Sequence, residues 1–198
     1  LMPSINQLMK ETDTSPQDLD RIAVAKGPGS YTGVRIGLAT AKTLAWTLNI
    51  PIVALSSLEL LARNIHNDKA FVSPFFDARR GLVYTGLYQR DINDMKLVEK
   101  DCNILMTDWL TELQKLSSPV VFLSQDLEQH KKTIEEYLGE NAVFPEPLLH
   151  FPRAGELAYL ATKREADQTH TLTPNYIRMV EAEAKWLEKQ KQDRSNNE

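Results

Sequence analysis

Ile22-Ala-Val-Ala-Lys-Gly-Pro-Gly-Ser-Tyr-Thr-Gly-Val-Arg-Ile-Gly-Leu-Ala-Thr-Ala-Lys-Thr-Leu-Ala-Trp46 decides how this chain is built. It reads as a short buried strand, a glycine-rich turn and a long helix with almost no charge. A strand running through Gly27-Pro28-Gly29 into a helix is the place where phosphates are bound, because free amides and the helix dipole converge there. A helix that is apolar nearly all round needs cover on more than one side. Between Gly27 and Leu58 only Arg35 and Lys42 are charged, and their spacing puts them on the same side. Gly33, Gly37, Ala41 and Ala45 recur every four residues as a stripe with almost no side chain, which permits close approach of a helix or sheet. Val34, Leu38 and Leu48 are left for the chain's own core. Two readings follow: a central helix wholly buried in one domain, or a helix completed by a second protein. The second carries more weight, since uncharged patches of this kind mark interfaces.

The pattern extends outward on both sides. Leu1, Ile5, Leu8 and Met9 share one face of a helix over residues 1–12, and Ser15-Pro16 opens a short turn. Residues 22–25 form a strand and 32–48 a helix stopped by Asn49 and Pro51; 52–55 form the next strand. Ser56-Ser-Leu-Glu59 is a capping box for a helix over 57–65. This is β-α-β-α with short links, the mark of an α/β layer. Strands at 70–77 and 83–89 then make a hairpin around Ala78-Arg-Arg-Gly81. They are followed by a strand at 97–105, a helix at 107–116, a strand at 120–124, a helix at 126–138, a strand at 142–144 and a helix at 154–163. A charged helix over 181–190 precedes a polar tail. The change of pattern near residue 67 predicts two lobes, 1–66 with 175–198 and 67–174.

A hydrophobic content of 42% and a charged content of 25% are those of a soluble globular protein. The net charge of −4 gives no electrostatic basis for strong independent nucleic-acid binding. The single cysteine, Cys102, excludes an internal disulfide and a cysteine metal framework, and a reducing cytoplasm is the simplest compartment. No apolar run has the roughly 20 residues a bilayer span needs.

Catalytic signatures fail one by one. Five positions beyond Gly27 stands Thr32, and five beyond Gly29 stands Val34, so no Walker loop exists; a dinucleotide fingerprint would need glycine at 32. The amides of Gly27, Gly29, Ser30 and Tyr31 remain a candidate anion cradle, although a plain strand–turn–helix junction needs the same glycines. Asp77-Ala-Arg79-Arg80-Gly81 offers Arg79 to a phosphate or carboxylate, against the plainer reading of a hairpin corner with a solvent-facing ion pair. His66, His130, His150 and His170 are too widely spaced for a helical metal pair and are expected as exposed or half-buried helix-end and loop residues. Cys102 is expected to be an inert strand residue. No complete catalytic constellation, metal site or cofactor site emerges.

With those residues in view, the chain resembles the bacterial TsaB family, also called YeaZ. The likeness rests on Gly27-Pro-Gly-Ser-Tyr-Thr-Gly-Val-Arg-Ile-Gly-Leu-Ala-Thr-Ala-Lys42, supported in order by Ile50-Pro-Ile-Val-Ala-Leu-Ser-Ser-Leu58, Asp77-Ala-Arg-Arg-Gly-Leu-Val-Tyr84 with Gly86-Leu-Tyr88, and Pro174-Asn-Tyr-Ile-Arg178. It is thin across 91–150. The resemblance implies an α/β, actin-like two-lobed fold of the sugar kinase/Hsp70/actin class, here without the family's opening strands. It also implies a non-catalytic subunit that pairs with TsaD and, with the ATPase TsaE, supports transfer of threonylcarbamoyl to the tRNA adenosine beside the anticodon. tRNA is then met only indirectly, and the chain pairs with itself when TsaD is absent. The helices at 1–12 and 32–48 would carry the contacts, through Leu8, Arg35, Ala39 and Lys42 and the stripe of Gly33, Gly37 and Ala41. An active actin-fold phosphotransferase or peptidase-like enzyme is the alternative.

Overall fold

The computed structural model describes residues 1–67, 69–91 and 94–177. The expected helix at 181–190, the tail and Arg178 lie outside them.

The first lobe is built on the opening β-α-β unit. Strands β1 (Ile22–Ala25) and β2 (Ile52–Leu55) pair in parallel, with Ile22 opposite Ile52. A parallel pair needs a crossover, and helix α2 (Tyr31–Leu48) supplies it. Ser30 caps α2 by accepting from the Gly33 amide at 3.3 Å, and Asn49 ends it in the left-handed conformation, φ 53°, that asparagine tolerates. Leu38, Ala41 and Ala45 turn inward and pack with Val24, Ile52, Ala54 and Leu172. Helix α1 (Met2–Glu11) precedes this unit and buries none of its residues.

The second lobe is a five-stranded sheet in the order β5-β4-β3-β6-β7. Strands β3 (Phe71–Asp77), β4 (Leu82–Arg90) and β5 (Met95–Leu105) form an antiparallel meander, while β6 (Val120–Leu123) and β7 (Ala142–Val143) add on in parallel. Helices α4 (Met106–Leu113) and α5 (Leu127–Leu138) cover one face, around Phe75, Val83, Leu87, Trp109, Phe122 and Ile134. Inside this layer Trp109 Nε1 donates to Ser73 Oγ at 2.9 Å, and Thr85 Oγ1 donates to the Pro74 carbonyl at 2.9 Å, so these three buried side chains are satisfied.

The opposite face is covered by α3 (Ser57–Ala62), whose Leu58, Leu61 and Ala62 meet Val72, Tyr88 and Leu123. Helix α6 (Ala154–Lys163) goes the other way: Leu160 and Ala161 pack on Val53 and Leu55 of the small sheet. The packing therefore changes sheet beside residue 56 and again just before 154. Helix α3 thus packs on the sheet of the strand that follows it, and α6 on the small sheet rather than that of the preceding strand β7. Two helices also end earlier than their apolar spacing implies, α3 at Ala62 and α4 at Leu113. At Ser56 only half of the expected box forms. Its hydroxyl accepts from Leu58 N at 3.1 Å and Glu59 N at 3.4 Å, while Glu59 reaches Arg164 at 2.7 Å instead of turning back.

Candidate functional site

The crossings between lobes leave a cleft of about 780 Å³, walled by Gly29, Ser30, Tyr31 and Thr32 on one side and by Phe76, Asp77, Arg79, Tyr84 and Asp126 on the other. Gly29, Ser30, Tyr31 and Arg79, four of the five residues expected around an anion, thus face one space. Gly27 stands behind it. Its carbonyl accepts from Ser57 N at 3.0 Å, its φ is +96°, and a Cβ there would lie 3.3 Å from the Asn175 carbonyl oxygen. Glycine is required at 27 by that close approach and that backbone angle. Two carboxylates share the cleft with Arg79, since Asp77 and Asp126 both line it.

Asp77 is engaged from within the second lobe. Its Oδ2 accepts from the Arg79 amide at 3.1 Å, and its Oδ1 faces His130 Nε2 at 3.0 Å. The Asp77 amide in turn donates to Asp126 Oδ2 at 3.0 Å. Arg79, Arg80 and Gly81 all hold positive φ, at 65°, 57° and 76°, so two arginines occupy a turn conformation that glycine or asparagine adopts more easily.

His130 and His150 are buried, which corrects the expectation of exposed or half-buried histidines; His66 and His170 are exposed. His130 lies on the apolar face of α5 with Leu127, Ile134 and Leu138, edge-on to Phe75 at 5.5 Å. His150 Nδ1 accepts from Ser124 N at 3.1 Å while Nε2 meets the Pro145 carbonyl at 3.1 Å, a pair of contacts that selects the neutral ring protonated on Nε2. Among the described residues no group of three or more His, Cys, Asp or Glu side chains is placed to hold a metal. Cys102 is half-buried on β5, and burial pushes its thiol up, beyond the range in which thiolates form easily.

One cluster escaped the sequence reading. Asp101 on β5 accepts from Ser56 Oγ at 2.5 Å and from the Tyr88 hydroxyl, tying the head of α3 to the β4–β5 ladder. Burial, then the Asp101 charge, raises Tyr88 well above an ordinary phenol. A Cβ on Gly86 would sit 2.7 Å from Asp101 Oδ1, so the carboxylate reaches its partners only because that position is bare. A glycine inside a strand is the signal that could have pointed there.

The expected partner residues divide. Leu8 is 61% exposed, Ala39 and Gly33 are exposed, and nothing lies within 4 Å of a Cβ built on Gly37. Ile36 and Trp46 join them on the outer surface of α2, 52% and 67% exposed. Ala41 is 6% exposed and belongs to the lobe's own core, which removes it from the outward set. Lys42 bends back to donate to the carbonyls of His170 at 3.1 Å and Leu172 at 2.7 Å. Arg35 lies 5.0 Å over the Tyr31 ring and donates to its hydroxyl.

A small parallel β-α-β lobe and a larger mixed sheet enclosing a cleft place the chain in the actin-like class. The family model for TsaD, tRNA N6-adenosine threonylcarbamoyltransferase, matches residues 1–186. The Bacillus subtilis (strain 168) tRNA threonylcarbamoyladenosine biosynthesis protein TsaB is 51% identical over 96% of this chain and 83% of its own length. The protein of that name from Escherichia coli (strain K12) is 34% identical over 59% of this chain and 52% of its own. A Pseudomonas aeruginosa structure described as an uncharacterized protein with similarity to peptidase YEAZ aligns with a TM-score of 0.74 at 26% identity, covering 90% of this chain and 82% of that one. YeaZ from the same species aligns at 0.69 and 24%, over 88% and 82%. The chain belongs to the TsaB family. No described helix is long and apolar enough to cross a membrane.

Proposed function

We propose that this chain works in tRNA threonylcarbamoyladenosine biosynthesis as a non-catalytic subunit that pairs with TsaD through α1 and the outer surface of α2, with TsaE joining the pair. The observation that carries the reading is the surface itself. Helix α1 buries no residue, and α2 sets Ile36, Ala39 and Trp46 outward, with the bare Gly33 and Gly37 to one side of Ile36. Apolar groups on two helices beside a position without a side chain suit close helix packing of the four-helix kind. The family's naming after this tRNA modification, and the match to the TsaD model, support the choice of partner. The same surface would pair with a second copy when TsaD is absent.

The test is light scattering after size exclusion, with and without TsaD, for the wild type, Gly37→Leu and Ile36→Asp. Wild type is expected to shift to the mass of a heterodimer and both variants to remain apart from TsaD while folded. Full binding by both variants refutes the surface. An actin-fold enzyme would instead hydrolyse ATP in the isolated chain, and sustained turnover there would overturn the non-catalytic assignment.

A further inference from the structure

Residues 168–177 return to the first lobe after α6, and their contacts with it are specific. Asp167 starts them by donating its amide to the Ile52 carbonyl at 2.8 Å and accepting from Ala54 N at 2.8 Å. Leu172 then inserts into the core under α2, and Lys42 grips the carbonyls on either side of Thr171. The Asn175 amide donates to the Lys26 carbonyl at 2.7 Å, at the mouth of the glycine turn. Tyr176 stacks on Tyr31 at 5.4 Å, and Tyr31 carries Arg35 on its ring. A three-member ladder, Tyr176–Tyr31–Arg35, therefore runs from the returning segment across the first turn of α2. Tyr31 lines the interlobe cleft, and Arg35 lies one turn along the exposed helix.

We propose that residues 170–177 form a latch that holds the glycine turn and Arg35 together, so that the wall of the cleft and the outer surface of α2 tighten or loosen as one. Three unrelated kinds of contact converge on it. Lys42 and Leu172 anchor the latch, the Asn175 amide fixes the turn, and the Tyr176 ring sets Tyr31 and through it Arg35. Tyr31 and Tyr176 are each about half exposed, 47% and 48%, so this end of the latch can leave its seat without opening the core. The effect on partner binding rests on the reading that α2 is the docking surface; the coupling of latch to turn does not.

Hydrogen exchange on the full chain tests the two parts separately, using wild type, Tyr176→Ala, Tyr176→Phe and Lys42→Met. An exposed aromatic pair is modest, so Tyr176→Ala is expected to speed exchange in peptides covering residues 26–35 about threefold to tenfold. Tyr176→Phe should keep the wild-type rate, because the ring and not the hydroxyl makes the stack. Lys42→Met should speed both 26–35 and 168–177, and peptides from the β3–β4 hairpin should not change in any variant. Unchanged exchange at 26–35 in both Tyr176→Ala and Lys42→Met refutes the latch. Titration with TsaD forms the second arm, and Tyr176→Ala is expected to weaken binding severalfold. If wild type does not bind TsaD, the proposed function fails and the exchange data still decide the latch. If exchange rises while TsaD affinity is unchanged, the coupling to the outer surface is wrong.

Discussion

Gly37 and Ala41 stand one turn apart on the same small-residue stripe, yet the structure gives them opposite fates, and substitution separates them. A Cβ at Gly37 meets nothing within 4 Å, so Gly37→Ala adds a methyl to open space and removes the entropy cost of glycine in a helix. That change is worth about 0.5–1 kcal/mol of added stability. Ala41 is enclosed by Val24, Leu38, Ile52, Ala54 and Leu172. Ala41→Leu forces three extra carbons into that space, at a cost of about 1–3 kcal/mol. For a chain of this size 1 kcal/mol moves the melting temperature by about 2–4 °C. Gly37→Ala is therefore expected to melt about 1–4 °C higher and Ala41→Leu about 2–12 °C lower. Ala41→Glu should fall further, because it buries a charge without a partner, so it cannot serve as a clean interface mutant. Scanning calorimetry is the assay. A lowered melting temperature for Gly37→Ala, or an unchanged one for Ala41→Leu, refutes this orientation of α2.

Three further outcomes follow from the second lobe and its ties. Gly86→Ala is expected to lose about 1–3 kcal/mol in urea unfolding with an unchanged slope, since its methyl displaces the Asp101 carboxylate from Ser56 and Tyr88. Burial raises the Glu59 carboxyl against the pull of Arg164. A carboxyl raised by folding contributes stability that is full below its unfolded pKa and lost as pH rises through the folded one. Glu59→Gln should thus be the more stable protein at pH 7 and match wild type below about pH 4, as thermal melts across that range would register. At Asp94 burial pushes upward, but the Met95 amide and Arg63 outweigh it and hold the carboxyl below the usual range. That contribution is present above about pH 4 and lost as pH falls through the folded pKa, so Asp94→Asn should be weaker at neutral pH and converge with wild type in acid.

Much of the backbone was legible because local chemistry decides it. Asn49 ends α2, Ser56 starts α3, and the break at Ala78-Arg-Arg-Gly81 between two strand-like runs turns the hairpin. Orientation was harder. A four-residue repeat advances about 400° around a helix, so each step from Gly33 to Ala45 turns the stripe by about 40°. Over three steps the stripe drifts by a third of the circumference, and its later members end against the lobe's own sheet. The destination of α3 and α6 was not written locally at all. Apolar spacing reports how much of a short helix is covered and not which sheet covers it, so sequence neighbours were assigned to the same lobe. The burial of His130 is written in the spacing of α5. This histidine stands in register with Leu127, Ile134 and Leu138 on one face of α5, and that spacing marks a buried position whatever the residue type.

Helix α2 carries two cations, Arg35 and Lys42, and desolvating an unpaired charge costs more than apolar contact returns. In the folded chain both are already engaged from within. Lys42 donates to two carbonyls of the returning segment, and Arg35 lies on the Tyr31 ring with its guanidinium bonded to the hydroxyl. A partner settling over Ile36, Ala39 and Trp46 would meet methyl groups and an indole, with the nearest positive charges held by their own side of the interface. The desolvation cost that remains falls mainly on Arg35, and the aromatic face beneath it offsets part of that cost. Such an interface depends on shape more than on charge. Its affinity should change little with salt, whereas a carboxylate introduced at Ile36 should change it a great deal.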